Sequence, residues 1–474
     1  MYQIDHVVVL MLENRSFDCM LGRLRPNSDD FDGVPPGAAN VANGVSYPAW
    51  TSGNGASNPF FIPTPDPHEQ FDHITAQIFG PGRSADDPSA ADMSGFAADY
   101  ASISGADPAA VMHGFTPEQL PVLSALANGF AVSDRWFASA PCQTWPNRFF
   151  AHTATARGYV NNTPIHPPYL METVFNRLSG CDRSWRIYFH DLPQCATLTR
   201  LWSSLPEHLY SFEENFMADA MAGRLPNYSF IEPRYFADPL VNRLPNDQHP
   251  PHDVALGERL VARCYDAIRN GAGWERTLFI ITFDEHGGIW DHVPPPKAVS
   301  PDGYRDASGF AFDRYGVRVP AVLVSPWIEP GTVLRPPPGG YPFDHTSIIA
   351  TLNKLFGPFE PLTQRDQHAP DLLGCLGLSA PTNYGPRSIP LPAPIAAAPQ
   401  IDLAQEKNAT DAQNAMAAIA DALPAGTANV PEHQEKLAKG EIAYAAAEIE
   451  RTASDALAIA KNGLARFLHG TGAL

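Results

Sequence analysis

The sequence predicts an α/β fold in which a central, mostly parallel (mixed) β-sheet is flanked by helices, with a helical segment added at the C-terminus. Two apolar runs, at 4–12 and 278–283, have the composition of strands buried on both faces, and both end in carboxylates. Around them, strand-like, loop and helix-like stretches alternate, the pattern of a parallel sheet covered on both faces. Beyond residue 400 the chain becomes Ala-rich and helical. The expected organisation is a main domain over 1–385, a Pro/Ala-rich linker over 386–400 and a helical hairpin over 401–474.

The 474 residues, 44% of them hydrophobic, suffice for one large α/β core with an appendage. A net charge of −19 argues against a nucleic-acid surface. No run of 18 apolar residues marks a transmembrane helix. The first residues lack the basic region and long apolar stretch of a signal peptide, so the expectation is a cytoplasmic chain as given, or an exported one whose leader was removed. Oligomeric state leaves no mark in the sequence. The six cysteines show no CxxC spacing. Cys181 and Cys195 flank one strand-like segment; they pair in an oxidising compartment, and reduced thiols are an equal expectation.

The first strand, over 4–12, delivers Glu13 and Asn14 at its C-terminal end, where ligands bind in open α/β sheets. A helix cap would use the same residues. Residues 34–65 are rich in Gly, Pro, Asn and Ser and read as a long loop over the sheet. His68 and His73 open a helix after it. A helix over 117–130 follows, then a short strand and Cys142-Gln143-Thr144-Trp145-Pro146-Asn147-Arg148. Thr144 is expected at a helix N-terminus, where backbone N–H groups favour an anion such as phosphate. A strand over 183–191 ends near His190, and another spans 225–235. A Pro-rich loop with His249 and His252 leads into a helix over 254–270. That helix feeds the second apolar run, which delivers Asp284, Glu285 and His286 before Gly287-Gly288 breaks the extended geometry. A strand over 317–325 and a helix over 346–355 complete the main domain. Ile442, Ile449, Leu457, Leu464 and Leu468 fall close to one face of the C-terminal helices.

Collected, the strand-end and turn residues Glu13, Asn14, Thr144, Asp284 and Glu285 are all oxygen donors. That favours a hard or intermediate cation, Mg²⁺, Ca²⁺ or Mn²⁺, over structural zinc.

Four stretches, Leu12-Glu13-Asn14-Arg15-Ser16-Phe17-Asp18, Thr144-Trp145-Pro146-Asn147-Arg148, Asp247-Gln248-His249-Pro250 and Thr282-Phe283-Asp284-Glu285-His286-Gly287-Gly288, occur in this order. They resemble the signature stretches of the phosphoesterase family, which holds bacterial and fungal phosphatidylcholine-type phospholipases C and a related acid phosphatase. The resemblance spans roughly residues 3–385. It implies an alkaline-phosphatase-like fold and one divalent metal held by Glu13, Asn14, Asp284, Glu285 and the Thr144 oxygen, with Zn and Fe as further candidates for the ion. It implies Thr144 as nucleophile, and His68 and His249 around the phosphate as general acid and base. Arg148, His190 and His286 are the expected substrate-binding residues. Thr144-x-Pro-x-Arg also echoes the sulfatase signature, but threonine cannot become formylglycine, so sulfate ester hydrolysis ranks low.

The expected function is therefore phospholipase C-type cleavage of a phosphatidylcholine-like lipid through a phosphothreonine. A broad acid phosphatase is the alternative, and a non-catalytic phosphate- or lipid-binding protein the distant one. Choline recognition would call for an aromatic cage, for which Trp136, Trp145, Trp202 and Trp290 are near the motifs.

Overall fold

The computed structural model describes the chain apart from residues 1–2, 53–58, 86, 163–168, 239–242, 393–408, 429, 440–450 and 470–474. In chain order the strands are β1 (His6–Leu12), β2 (Ala39–Ala42), β3 (Val45–Pro48), β4 (Ala131–Ser133), β5 (Trp185–Phe189), β6 (Leu209–Ser211), β7 (Tyr228–Ile231), β8 (Thr277–Phe283), β9 (Ala321–Val324) and β10 (Thr332–Val333). Eight of them form one sheet in the order β10-β4-β9-β8-β1-β7-β5-β6. It is mixed: β9 runs antiparallel to both β8 and β4, and the remaining pairs are parallel.

The two apolar runs lie side by side at the centre. β1 pairs with β8 from His6↔Thr277 to Leu12↔Phe283. Every residue of β8, and every residue of β1 after His6, is buried, as a strand covered on both faces requires. This register decides where the chemistry sits, because the residues following Leu12 and Phe283 leave the sheet next to each other.

The helices Pro121–Gly129, Val254–Arg269 and Thr346–Phe356 fall close to their expected spans, and Thr144 opens the helix Thr144–Thr153. The expected loop over 34–65 differs from expectation, because it carries the β2-β3 hairpin. Asn43 and Gly44, with φ of 49° and 76°, turn it as an Asn-Gly pair does when both central residues are left-handed.

At the C-terminus the described helices are Asp411–Ala422, Val430–Ala438 and Ala453–His469. Met416, Ile419, Leu457, Leu464 and Phe467 join the same hydrophobic core as the sheet. Gln413 Nε2 donates to the Tyr235 carbonyl at 2.8 Å. Ile442 and Ile449, and much of the expected linker, lie outside the described residues. Among the described residues no helix is long and apolar enough to cross a membrane. All six cysteines, Cys181 and Cys195 included, are free thiols.

Candidate active site

The β1-β8 register brings Glu13 beside Asp284. At the end of β1 the chain turns sharply, with Asn14 in the left-handed region at φ 58°. Asp284 fixes this turn, since its Oδ1 accepts from the Asn14 N–H at 3.1 Å and from the Glu285 N–H at 2.7 Å. Arg15 N–H donates to the Glu285 carbonyl at 3.1 Å. Gly287 and Gly288, with φ of 62° and 63°, let three segments close up. A Cβ on Gly287 would lie 2.3 Å from the Asn14 carbonyl oxygen, and one on Gly288 2.7 Å from that of His68.

Beneath the carboxylates lies Arg148, one helical turn after Thr144 and on the same face. Its Nε donates to Asp284 Oδ2 at 3.1 Å and its Nη1 to Glu232 Oε2 at 3.2 Å. Nη2 reaches the Met11 carbonyl at 3.2 Å and lies 3.4 Å from Glu13 Oε1. Glu13 Oε1 also accepts from Gln194 Nε2 at 2.6 Å. Arg148 was expected at the substrate; instead it is a buried counter-ion whose donors are engaged by the protein.

A single guanidinium does not balance this cluster. Burial and the neighbouring Asp284 push Glu13 well above the usual carboxylate range, and burial raises Glu232. Burial outweighs the Arg148 attraction to push Asp284 up to about 7. Asn14 Oδ1, Thr144 Oγ1 and Glu285 Oε1 are buried without a hydrogen-bond partner, as is Gln194 Oε1 on the residue bonded to Glu13. Most buried polar atoms in folded proteins are paired, so several unpaired oxygens beside buried carboxylates call for a partner. Excess negative charge together with unpartnered oxygens fits a hard divalent cation.

The histidines separate. His249 is buried beside Glu69, with Nε2 3.4 Å from Glu69 Oε1 and Nδ1 2.6 Å from the Pro250 carbonyl. Glu69 Oε1 in turn accepts from Asn14 Nδ2 at 2.5 Å, which links His249 to the carboxylate cluster. Burial and the nearby His252 hold His249 down to about 4, while burial and Asp66 push Glu69 well above its usual range. Asp66, Glu69 and His249 offer ligand atoms close enough together to hold a metal.

His286 stands behind Glu285. Nδ1 is 3.2 Å from Glu285 Oε2 and Nε2 is 2.8 Å from Gln77 Oε1, so both ring nitrogens face protein. His68 instead packs against the His73 ring and faces Asp99. His190 is apart from this cluster: Nδ1 meets the Glu232 carbonyl at 2.8 Å and the ring stacks on Phe212. It borders a mostly apolar cavity of about 750 Å³ against the helix Ala453–His469, which none of the residues expected to hold the metal lines. The four tryptophans near the motifs are buried in the packed interior and form no open cage.

Residues not singled out from sequence complete the arrangement. Glu232 follows β7 as Glu13 follows β1, so the strand-end signal was present. Glu69 lies within a stretch read only as a helix start. Gln194, Gln77 and His345, whose Nε2 lies 2.6 Å from the Asp284 carbonyl, carried no local signal.

The model of the phosphoesterase family matches residues 4–358. The chain belongs to the phosphoesterase family. It is thereby a phosphoric ester hydrolase. Non-specific phospholipase C1 of Arabidopsis thaliana is 42% identical over 77% of this chain and 69% of its own length. Non-specific phospholipase C3 of the same plant is 38% identical over 82% of this chain and 76% of its own. Among solved structures, a protein in the alkaline phosphatase superfamily from Vibrio parahaemolyticus aligns over 53% of this chain and 63% of its own at 12% identity, with a TM-score of 0.33.

Proposed function

We propose that this phosphoesterase is a phospholipase C-type phosphodiesterase that cleaves the glycerol-side ester of phosphatidylcholine-like lipids through Thr144. The observation that carries this reading is the trio of buried, unpartnered oxygens on Asn14, Thr144 and Glu285, beside carboxylates that outnumber their one arginine. The names of the plant relatives support a phospholipid diester as substrate.

Glu13, Asn14, Thr144, Asp284 and Glu285 would hold one divalent ion, with Ca²⁺, Mg²⁺ or Mn²⁺ matching an all-oxygen donor set. Such an ion, when bound, lowers the pKa of a ligated hydroxyl and offsets charge on phosphoryl oxygens. Thr144 Oγ1, its proton given up to solvent beforehand, attacks phosphorus in line as the alkoxide and is regenerated as such. A P–O bond to threonine forms, the P–O bond to glycerol breaks, and a phosphothreonine still esterified to the head group remains. The leaving diacylglycerol oxygen takes a proton from the Glu69–His249 pair, whose Oε1 and Nε2 stand 3.4 Å apart. The same pair then accepts a proton from the attacking water, releasing the phosphorylated head group and restoring Thr144. His249 takes this role rather than His68, because His249 is the one tied through Glu69 to Asn14.

The test is turnover of p-nitrophenylphosphorylcholine beside p-nitrophenyl phosphate by metal-analysed protein. The diester is expected to react much faster; a preference for the monoester would make the enzyme a phosphatase. Thr144→Ala is expected to lower diester turnover by about 10⁴-fold or more, the scale on which removing a nucleophile acts, and Thr144→Ser to retain some. An Ala variant with near wild-type rate overturns the assignment.

A further inference from the structure

A second group of ligating side chains lies between β3 and β4, on a loop and the helices Phe71–Phe79 and Phe96–Tyr100, outside the set assigned to the reaction centre. The His68 and His73 rings lie 3.8 Å apart between centroids, tilted by 30°, and both present Nδ1 to Asp99. His73 Nδ1 lies 2.6 Å from Asp99 Oδ1 and His68 Nδ1 3.7 Å from Asp99 Oδ2. One donor atom from each of the three residues lies within 4.8 Å of the other two.

An ordinary ion pair explains part of this. His73 and Asp99 satisfy each other, and Gln77 Nε2 adds a bond to Asp99 Oδ2 at 2.9 Å. His68 is left over: its Nδ1 is buried, has no hydrogen-bond partner and stands too far from Asp99 to form one. Zinc–nitrogen bonds of about 2.0–2.1 Å in a tetrahedral site place neighbouring donors about 3.3 Å apart, so a bound ion would replace the 2.6 Å hydrogen bond between His73 Nδ1 and Asp99 Oδ1 and draw in His68 Nδ1, which lies 3.7 Å from Asp99 Oδ2. Two imidazoles and one carboxylate are the donor set of divalent transition ions, in contrast to the all-oxygen set beside Thr144. The histidine side chains are 29% and 32% exposed, which leaves a path for the ion and a position for water.

We propose that His68, His73 and Asp99 form a second, peripheral site for a divalent transition ion of the Zn²⁺ class. The site shares no ligand with the reaction centre, yet hydrogen bonds connect the two. Gln77 bonds Asp99 through Nε2 and meets His286 Nε2 at 2.8 Å through Oε1, and His286 Nδ1 stands 3.2 Å from Glu285 Oε2. Gln77 Nε2 also donates to the His68 carbonyl at 2.9 Å, which fixes the backbone of one ligand.

The test is a titration of chelator-stripped, full-length protein with Co²⁺, read by its visible absorption and by bound equivalents, and repeated with Zn²⁺ by metal analysis. Wild type is expected to bind one ion with the spectrum of a nitrogen-containing site. His73→Ala and Asp99→Asn are each expected to lose that equivalent, or to weaken it at least tenfold, while circular dichroism shows the fold unchanged. Asp284→Asn is expected to leave it in place. The equivalent lost in the two variants decides the matter, so an oxygen site that takes up no Co²⁺ leaves the test intact. An equivalent unaltered in both variants, or a wild type with no nitrogen-ligated ion, overturns the proposal.

Discussion

The segments that follow β1 and β8 build two buried acidic clusters, and only one of them is left incomplete. Glu13, Asp284 and Glu285 enter the first, and Asp18 and Asp291, a few residues later on the same two segments, enter the second. In the second cluster Arg318 bonds Asp18 Oδ1 at 3.0 Å and both oxygens of Asp291 at 2.9 and 3.2 Å. His292 lies between Asp18 Oδ2 at 2.6 Å and Asp32 Oδ1 at 3.0 Å. No side-chain atom of Asp18, Asp291, His292 or Arg318 is buried without a partner. Near Thr144 the balance is reversed, with carboxylates in excess of one arginine and the oxygens of Asn14, Thr144 and Glu285 unpartnered. Acidity and burial are common to both clusters, so neither marks function. Unsatisfied donor capacity is what separates them.

Breaking each cluster in turn sharpens the contrast. Arg318→Met leaves Asp18 and Asp291 buried without their main counter-charge and is expected to cost about 3–5 kcal/mol, the scale for one partner lost from a buried pair. Denaturant unfolding checks this, and turnover per folded molecule should stay near wild type. A parallel loss of turnover would make the Arg318 cluster part of the reaction centre.

Glu285→Gln should do the opposite. Diester turnover is expected to fall by more than about 10²-fold, beyond what losing an outer partner of a metal ligand costs. The melting temperature of the metal-free protein should not fall, because a carboxylate has been removed from a crowded site. Equal losses of stability and activity would assign Glu285 a purely structural role.

The smallest effect is pH-dependent. Partners Asp18 and Asp32 outweigh burial to push His292 up to about 9, against an ordinary value of about 6.5. A raised folded-state value means that this contribution to stability is complete below about pH 6.5 and is lost as pH rises through about 9. Thermal melts across that window should fall more steeply for wild type than for His292→Asn. Identical slopes would remove His292 from the pH dependence.

Much of the site was legible where local pattern coincides with a strand end. β1 and β8 announce themselves by composition, and an acid directly after a buried apolar run stands out. Glu232 follows the same rule after β7, but that strand is only four residues long and carries Ser229, so its end stands out less. The hairpin at Asn43-Gly44 was equally visible in its turn pair. Glu69 and Gln77 were not, because their partners lie far away in the chain and only the packed fold brings them together. Arg148 shows a different limit: its residue type suits a phosphate, but its helix phase, one turn below Thr144, aims it at the carboxylates instead. His190 has the type and position of a ligand, yet the fold turns it against Phe212.

The most direct measurement is to quench wild-type enzyme in acid during turnover of p-nitrophenylphosphorylcholine and to map the covalent adduct by peptide mass spectrometry. A head-group phosphate on Thr144, absent from Thr144→Ala, is the predicted result. An adduct on another residue, or undiminished turnover with Thr144 unmodified, would contradict it.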